Sequence, residues 1–182
     1  MQSPDPTPAA NTLEAELSWL AAVIDARLRI YLRHDGYQDA TIPLAPALAA
    51  ATDASTSDPY ATLCHEAALS EAERLILILA LTPWLRPQAL DIFFGHNAQY
   101  DRPFTEFGAA HRPERPGFTP TRQTALFLHA GDDLSARLAA LPHFATDAPL
   151  TAHRLIQPSE DALAPWEVLE PTGYAVERVL RG

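Results

Sequence analysis

Hydrophobic side chains recur at steps of three and four along residues 12–33, a spacing that predicts an amphipathic helix. The positions are Leu13, Leu17, Leu20, Ile24, Leu28 and Tyr31. Asn11 is the predicted N-cap, Glu14 the matching capping-box residue, and Gly36 the end of the helical stretch. The preceding residues are rich in proline, which prevents regular backbone pairing. Residues 1–11 are therefore predicted to form a disordered arm.

A continuous apolar run over residues 75–81 predicts the central helix of the fold. Ser70 and Glu73 stand in capping-box spacing just before it, and Pro83 is predicted to stop it. A helix that is apolar on all sides is normally buried on all sides. Three tryptophans beside apolar segments are likewise expected in the core: Trp19, Trp84 and Trp166.

Further helices are predicted from capping and breaking residues. They are expected near Tyr60, over 86–95, from Thr119 and Pro120 to Gly131, after an Asp132 or Asp133 cap, and from Thr172. Residues 150–157 and 166–169 read as two short strands around a loop, which predicts a β-hairpin near the C-terminus. The fold class is therefore α+β and helix-dominated: a helical bundle with a winged-helix-like unit, in one domain over 12–182.

Composition argues against several classes of function. The net charge of −10 opposes nucleic-acid binding, which relies on clustered Lys and Arg. The chain has no lysine, so it has no P-loop to bind ATP phosphates. Its single cysteine, Cys64, fits a reducing cytoplasm, and its longest apolar run is too short to span a membrane. We expect a cytoplasmic protein that binds neither nucleic acid nor membrane.

Two groups of residues could carry chemistry, but each has a structural explanation. Cys64 and His65 are adjacent, so on a helix their side chains point about 100° apart and cannot form a nucleophile–base pair. His129, Asp132 and Asp133 could bind a metal, yet aspartates after a glycine more often cap a helix. We therefore predict no catalytic residues, no metal and no cofactor.

The irregular segment 96–118 is the candidate contact surface. It combines aromatic and charged residues without a regular period, and such residues often anchor protein interfaces. The alternative is that Tyr100, Phe104 and Phe107 pack in the core while charged neighbours tie the segment down. The predicted contact residues are Asn97, Tyr100, Asp101, Arg102, Glu106 and Phe107.

Two strings are specific enough to indicate a family: Tyr-Asp-Arg-Pro-Phe-Thr-Glu-Phe-Gly at 100–108 and Thr-Ala-Leu-Phe-Leu-His-Ala-Gly-Asp-Asp-Leu at 124–134. With Pro-Tyr-Ala at 59–61 and Leu-Arg-Pro-Gln-Ala-Leu-Asp-Ile-Phe-Phe at 85–94, they make the chain resemble one domain of a known ATPase family. It is the N-terminal winged-helix-like domain of the AAA+ ATPases encoded with bacterial contractile injection systems, which are phage-tail-like particles.

This resemblance, which covers roughly residues 12–182, implies a bacterial, cytoplasmic protein without catalytic residues of its own. Its expected function is to dock an ATPase to tail or assembly partners. The chain is expected either to be part of a longer protein whose AAA+ domain follows residue 182 or to be encoded alone. Two alternatives stay open. One is a nucleic-acid-binding winged helix that reads bases through Arg122 and Gln123 in the segment 120–130. The other is a small enzyme that uses Cys64 or a metal at His129.

Overall fold

The computed structural model describes residues 8–48, 58–110, 117–159, 161 and 164–181. Within these residues the fold is built from α-helices, short 3₁₀ helices and one small antiparallel sheet, so the prediction of a helix-dominated α+β fold is confirmed. The α-helices are α1 (Pro8–Tyr31), α2 (Pro59–Glu66), α3 (Glu71–Leu85), α4 (Arg122–Ala130), α5 (Leu134–Ala140), α6 (Pro149–Ala152) and α7 (Gly173–Arg181). The sheet pairs β1 (His96–Asn97) with β2 (Arg102–Pro103). The 3₁₀ helices are Tyr37–Asp39, Pro87–Phe94, Thr105–Phe107 and Leu141–Phe144.

Helix α3 is the centre of the hydrophobic core, as its apolar run predicts. Every side chain over 75–81 is buried, and the helix packs against α1, α4 and α6. The capping box also forms: the Ser70 hydroxyl accepts the Glu73 N–H at 3.3 Å, and the Glu73 carboxylate accepts the Ser70 N–H at 2.8 Å. Local sequence therefore sets where α3 begins, and its apolar composition sets where it lies.

Helix α1 begins earlier than the capping pattern predicts. It starts at Pro8, so Asn11 lies inside the helix and does not cap it. Proline is tolerated in a first helical turn because the N–H it lacks has no partner there. Glu14 pairs instead with Arg86 at the end of α3, with 2.5 Å between carboxylate and guanidinium. The predicted arm is thus wrong for residues 8–11, and its residues 1–7 lie outside the described part of the chain.

Pro83 does not stop α3, which continues to Leu85. The helix predicted over 86–95 forms over Pro87–Phe94, and it is a 3₁₀ helix. Among the described residues, no single helix is long and apolar enough to span a membrane, although α3 and Pro87–Phe94 would qualify together as a pair bent by 103°.

The hairpin predicted from 150–157 and 166–169 does not form with those boundaries. Pro149 opens α6, which takes residue 150 into a helix, and Val168 pairs with Thr121 just before α4. Ile156 forms an isolated antiparallel bridge with Pro171, which has no N–H to extend the ladder. The sheet of the described residues lies instead in the middle of the chain, at β1 and β2. The winged-helix character of the fold stays a prediction.

Candidate protein-interaction site

Four of the six predicted contact residues lie on the hairpin that β1 and β2 form. Asn97 is paired with Arg102 across the two strands, and Tyr100 and Asp101 lie in the connecting turn. The Tyr100 side chain is 62% exposed, so the alternative in which it packs in the core is wrong. The guanidinium carbon of Arg102 lies 5.6 Å from the centre of the Tyr100 ring, a cation–π distance. Tyr100, Asp101 and Arg102 are therefore accessible to a partner. Asn97 is half-buried, and its side-chain oxygen accepts the Gln99 N–H at 3.0 Å.

Phe107 lies in the core and cannot belong to a contact surface. Its side chain is buried, and its ring centre lies 5.3 Å from those of both Phe93 and Phe127. Tyr31, at the end of α1, packs edge-on against the same ring at 5.9 Å. The prediction of Phe107 as a contact residue is wrong because the 3₁₀ turn Thr105–Phe107 directs it inward.

Glu106 is tied into an internal network with Gln123, which was considered only as a base-reading residue, and with Arg137, which the sequence did not single out. Its carboxylate lies 2.5 Å from the Arg137 guanidinium, and the Gln123 side-chain amide donates to its backbone carbonyl at 3.0 Å. Arg137 also donates to the Gln123 amide oxygen at 2.6 Å and to the Gly131 carbonyl at 2.8 Å. This network joins α4, α5 and the turn before Gly108. No sequence pattern signals it, because Glu106 and Arg137 are 31 positions apart.

Gly108 fits closely against the N-terminus of α4. Its φ of +67° is in the left-handed region, and a Cβ there would lie 2.5 Å from the Thr121 hydroxyl and 2.6 Å from the Gln123 Cβ. The Thr121 hydroxyl donates to the Gly108 carbonyl, and the Thr124 hydroxyl donates to the Phe107 carbonyl at 2.8 Å. The turn and the helix are thus held together by hydroxyl-to-carbonyl hydrogen bonds, at a close approach that only glycine permits.

A cleft of about 820 Å³ lies between this turn and the segment that precedes Glu167. We name it the Trp166 cleft. Its apolar wall consists of Phe93, Phe94, Pro103, Phe104, Ala109, Ala110, Pro165 and Trp166. Its polar wall includes Arg102, Glu106, Thr121, Gln123 and Arg137. Two predicted contact residues, Arg102 and Glu106, therefore line it, and Tyr100 stands next to it against Arg102.

The exposed aromatic residues of the cleft were not predicted. Trp166 is 72% exposed and Phe94 is 57% exposed. Of the three tryptophans expected in the core, only Trp19 is buried there, and Trp84 is half-exposed. Residue type indicates burial only on average, since apolar atoms cover much of any protein surface. Pro165, which directly precedes Trp166, was the one available hint of a loop position.

The junction of α4 and α5 is explained by packing and capping. Asp133 caps α5, with its carboxylate accepting the Ala136 N–H at 3.0 Å. Gly131 leaves room for Arg27, which donates to the His129 carbonyl at 2.8 Å. Burial lowers the pKa of His129, and the nearby His143 and Arg27 lower it further. Within the described ranges, no three His, Cys, Asp or Glu side chains are placed to hold a metal ion.

Cys64 is an internal side chain of α2. It is buried in the hydrophobic core, and burial raises its pKa from the ordinary 9.0 to about 12. A thiol is nucleophilic as the thiolate, which is scarce at neutral pH when the pKa is that high. The geometry thus removes the support for a Cys64 nucleophile.

We expect Cys64 to resist thiol reagents in the folded protein. At pH 8 the rise in pKa reduces its thiolate population about a thousandfold relative to an ordinary cysteine. Labelling with a chromogenic disulfide should be slow in native buffer and prompt in denaturant, with Cys64→Ser as the blank. Equal labelling rates in the two conditions would contradict the burial of this thiol.

The helix expected to read DNA bases does not present its polar side chains. Arg122 is 4% exposed and donates to the Asp161 carbonyl at 2.9 Å. Gln123 is held by Glu106 and Arg137. Burial lowers the pKa of Arg122. In this conformation neither side chain is available to a base edge.

Comparison with known proteins adds no relative: no protein-family model, no curated protein and no solved structure matches the chain.

Proposed function

We propose that this chain is a non-catalytic protein-interaction domain that docks its partner in the Trp166 cleft. The observation that carries the proposal is the exposure of two large aromatic residues, Trp166 and Phe94, along one cleft that also contains Arg102. Tryptophan, tyrosine and arginine are the residues that most often supply the binding energy of protein interfaces. Burying such rings in a complex removes apolar surface from water, which favours association.

The cleft also has the rigidity that tight docking needs. One wall is fixed by Gly108 against Thr121, and another by Arg137 between Glu106 and Gln123. A surface that is already ordered loses less conformational entropy on binding. These two walls are therefore held in place before a partner binds.

We also propose that the partner belongs to a bacterial contractile injection system, either a tail or assembly component or an AAA+ domain. The support is the family resemblance of the strings at 100–108 and 124–134. The first string supplies Arg102, Phe104 and Glu106 to the cleft. The second contains Gly131, whose carbonyl accepts from Arg137, another lining residue. A bacterial cytoplasmic location is proposed on the same resemblance.

A protein partner is favoured over nucleic acid by charge and by the state of α4. The net charge of −10 repels a phosphate backbone. Arg122, the cation nearest to the start of α4, is buried and bound within the fold. Docking a protein by burying aromatic side chains requires neither a positively charged surface nor an exposed Arg122.

The test is binding to purified tail components and to AAA+ domains of contractile injection systems, measured by titration calorimetry. We expect Trp166→Ala to weaken binding about thirtyfold, the typical effect of losing an interface hot spot. Arg102→Ala should weaken it to a smaller extent because this side chain stands at the rim. Both residues are exposed, so the melting temperature should stay close to that of the parent.

Leu44→Ala is the matched control, because Leu44 is a strongly exposed apolar residue that does not line the cleft. It should bind like the parent protein. Unchanged affinity of Trp166→Ala, or an equal loss in Leu44→Ala, would exclude the cleft as the docking surface.

A further inference from the structure

The segment before α1 has the chemistry that an aromatic cleft recognises. Residues 1–7 read Met-Gln-Ser-Pro-Asp-Pro-Thr, and Pro8 follows as the first helical residue. Closely spaced prolines favour the extended polyproline II conformation, which has little entropy to lose on binding. Grooves lined by aromatic side chains are the usual receptors for such segments.

The Trp166 cleft matches that chemistry in both its apolar and its charged parts. Trp166, Phe94 and Phe104 line the cleft and supply aromatic surface against which proline rings can pack. Arg102 is exposed at the rim, where it contacts the Tyr100 ring and has no carboxylate within ion-pair distance among the described residues. Asp5 is the one charged side chain of residues 1–7. The negative charge of Asp5 and the positive charge of Arg102 are therefore complementary.

The segment cannot reach the cleft of its own molecule. Helix α1 has 24 residues and is about 35 Å long at about 1.5 Å per residue. Its far end, Tyr31, packs against Phe104 at a ring distance of 6.1 Å, and Phe104 lines the cleft. Seven residues in polyproline II conformation span only about 22 Å from Pro8. Occupancy therefore requires a second molecule.

We infer that residues 1–7 of one copy of this chain bind the Trp166 cleft of a second copy, with Asp5 paired to Arg102. The contact is head-to-tail, because it joins different surfaces of the two molecules and leaves one segment and one cleft free. It can thus propagate into a ring or an open chain. The inference rests on the proposed role of the cleft as a docking surface, and it makes the segment a competitor of any other protein that docks there.

Sedimentation velocity of the full chain tests this inference, from low micromolar to several hundred micromolar protein. We expect the weight-average sedimentation coefficient to rise with concentration. A synthetic peptide of residues 1–10 should bind the full chain and reverse the rise. Trp166→Ala should weaken both effects at least tenfold, whereas Tyr174→Ala, which changes an aromatic residue of α7 outside the cleft, should leave them unchanged.

A charge exchange tests the pairing itself. Asp5→Arg and Arg102→Asp should each weaken association, and the double variant should restore it because the pair is re-formed with opposite polarity. A chain that stays monomeric and does not bind the peptide would overturn the inference, as would association that Trp166→Ala leaves intact. Failure of self-association leaves the proposed function standing if Trp166→Ala still weakens binding of a tail or AAA+ protein.

Discussion

Replacing Arg74 with alanine is expected to destabilise the fold by about 3–5 kcal/mol, because it leaves a buried carboxylate without its counter-charge. That carboxylate is Glu16 of α1, whose side chain is 0% exposed. Arg74 of α3 donates to it directly, and the Tyr60 hydroxyl of α2 donates to its second oxygen at 3.0 Å. Arg74 also donates to the Pro46 carbonyl at 2.8 Å. The substitution therefore weakens a junction of three helices and the segment beside them.

The loss should be smaller in acid than at neutral pH. Burial raises the pKa of Glu16 above its ordinary value of 4.5, and hydrogen bonding and attraction from Arg74 oppose that rise. A carboxyl group with a raised folded-state pKa favours the folded state below pH 4.5, and this contribution is lost as the pH rises through the folded-state pKa. Without Arg74 the pKa rises further, so the penalty develops as the pH increases from about 4.5 toward neutrality.

Urea unfolding of the parent and of Arg74→Ala near pH 4.5 and at pH 7.5 measures both effects. Arg86→Ala is the matched control, because Arg86 pairs with Glu14 on the surface and its loss should change stability little at either pH. A loss for Arg74→Ala that is the same at both pH values, or no larger than that of Arg86→Ala, would show that Glu16 is not held charged by Arg74.

Replacing Gly108 with alanine is expected to cost about 3 kcal/mol, from backbone strain and steric overlap together. The left-handed φ of +67° disfavours any Cβ, and that Cβ would lie within 2.6 Å of both the Thr121 hydroxyl and the Gln123 Cβ. Since Thr121 caps α4, relieving the overlap would pull the turn away from that helix. One wall of the Trp166 cleft should move with it.

Gly36→Ala separates strain from overlap. Gly36 has a similar φ of +76° but nothing within 4 Å of the added Cβ. Its substitution should cost about 1 kcal/mol, the backbone term alone. Thermal and urea unfolding of the two variants give the comparison, and titration of a cleft-binding protein reports the shape of the wall. Equal losses in the two variants would mean that the close approach of Gly108 to α4 contributes nothing.

Local patterns predict several elements of this fold well, because neighbouring residues supply their own partners. Ser70 and Glu73 satisfy each other's backbone groups within one turn, and Asp133 caps the helix that immediately follows it. The apolar run over 75–81 leaves no polar face for solvent, so its burial follows from composition. The predicted starts of α3 and α5 are confirmed for this reason.

The candidate site was predicted only in part, for a corresponding reason. The unusual residue content of the segment 96–118 pointed to Arg102 and Tyr100, which are accessible, but also to Phe107, which is buried. Alternation and composition do not say which aromatic ring of an irregular segment faces the core. The contribution of Trp166 was missed because it joins the cleft from 62 positions beyond Phe104, through a fold that brings Pro165 to the Gln123 backbone at 2.7 Å.

The sequence by itself determined that this chain is helix-dominated, that α3 lies at its centre, and that it has neither a lysine nor a P-loop. These properties depend on composition and on contacts within a few residues, so they can be read along the chain. Only the tertiary structure decided that Gly108 packs on Thr121 and that Arg137 forms an ion pair with Glu106. It also decided that Phe94 and Trp166 stay exposed along one cleft. Those outcomes depend on which distant segments meet, and the free energy that selects them comes from the packing of the whole core.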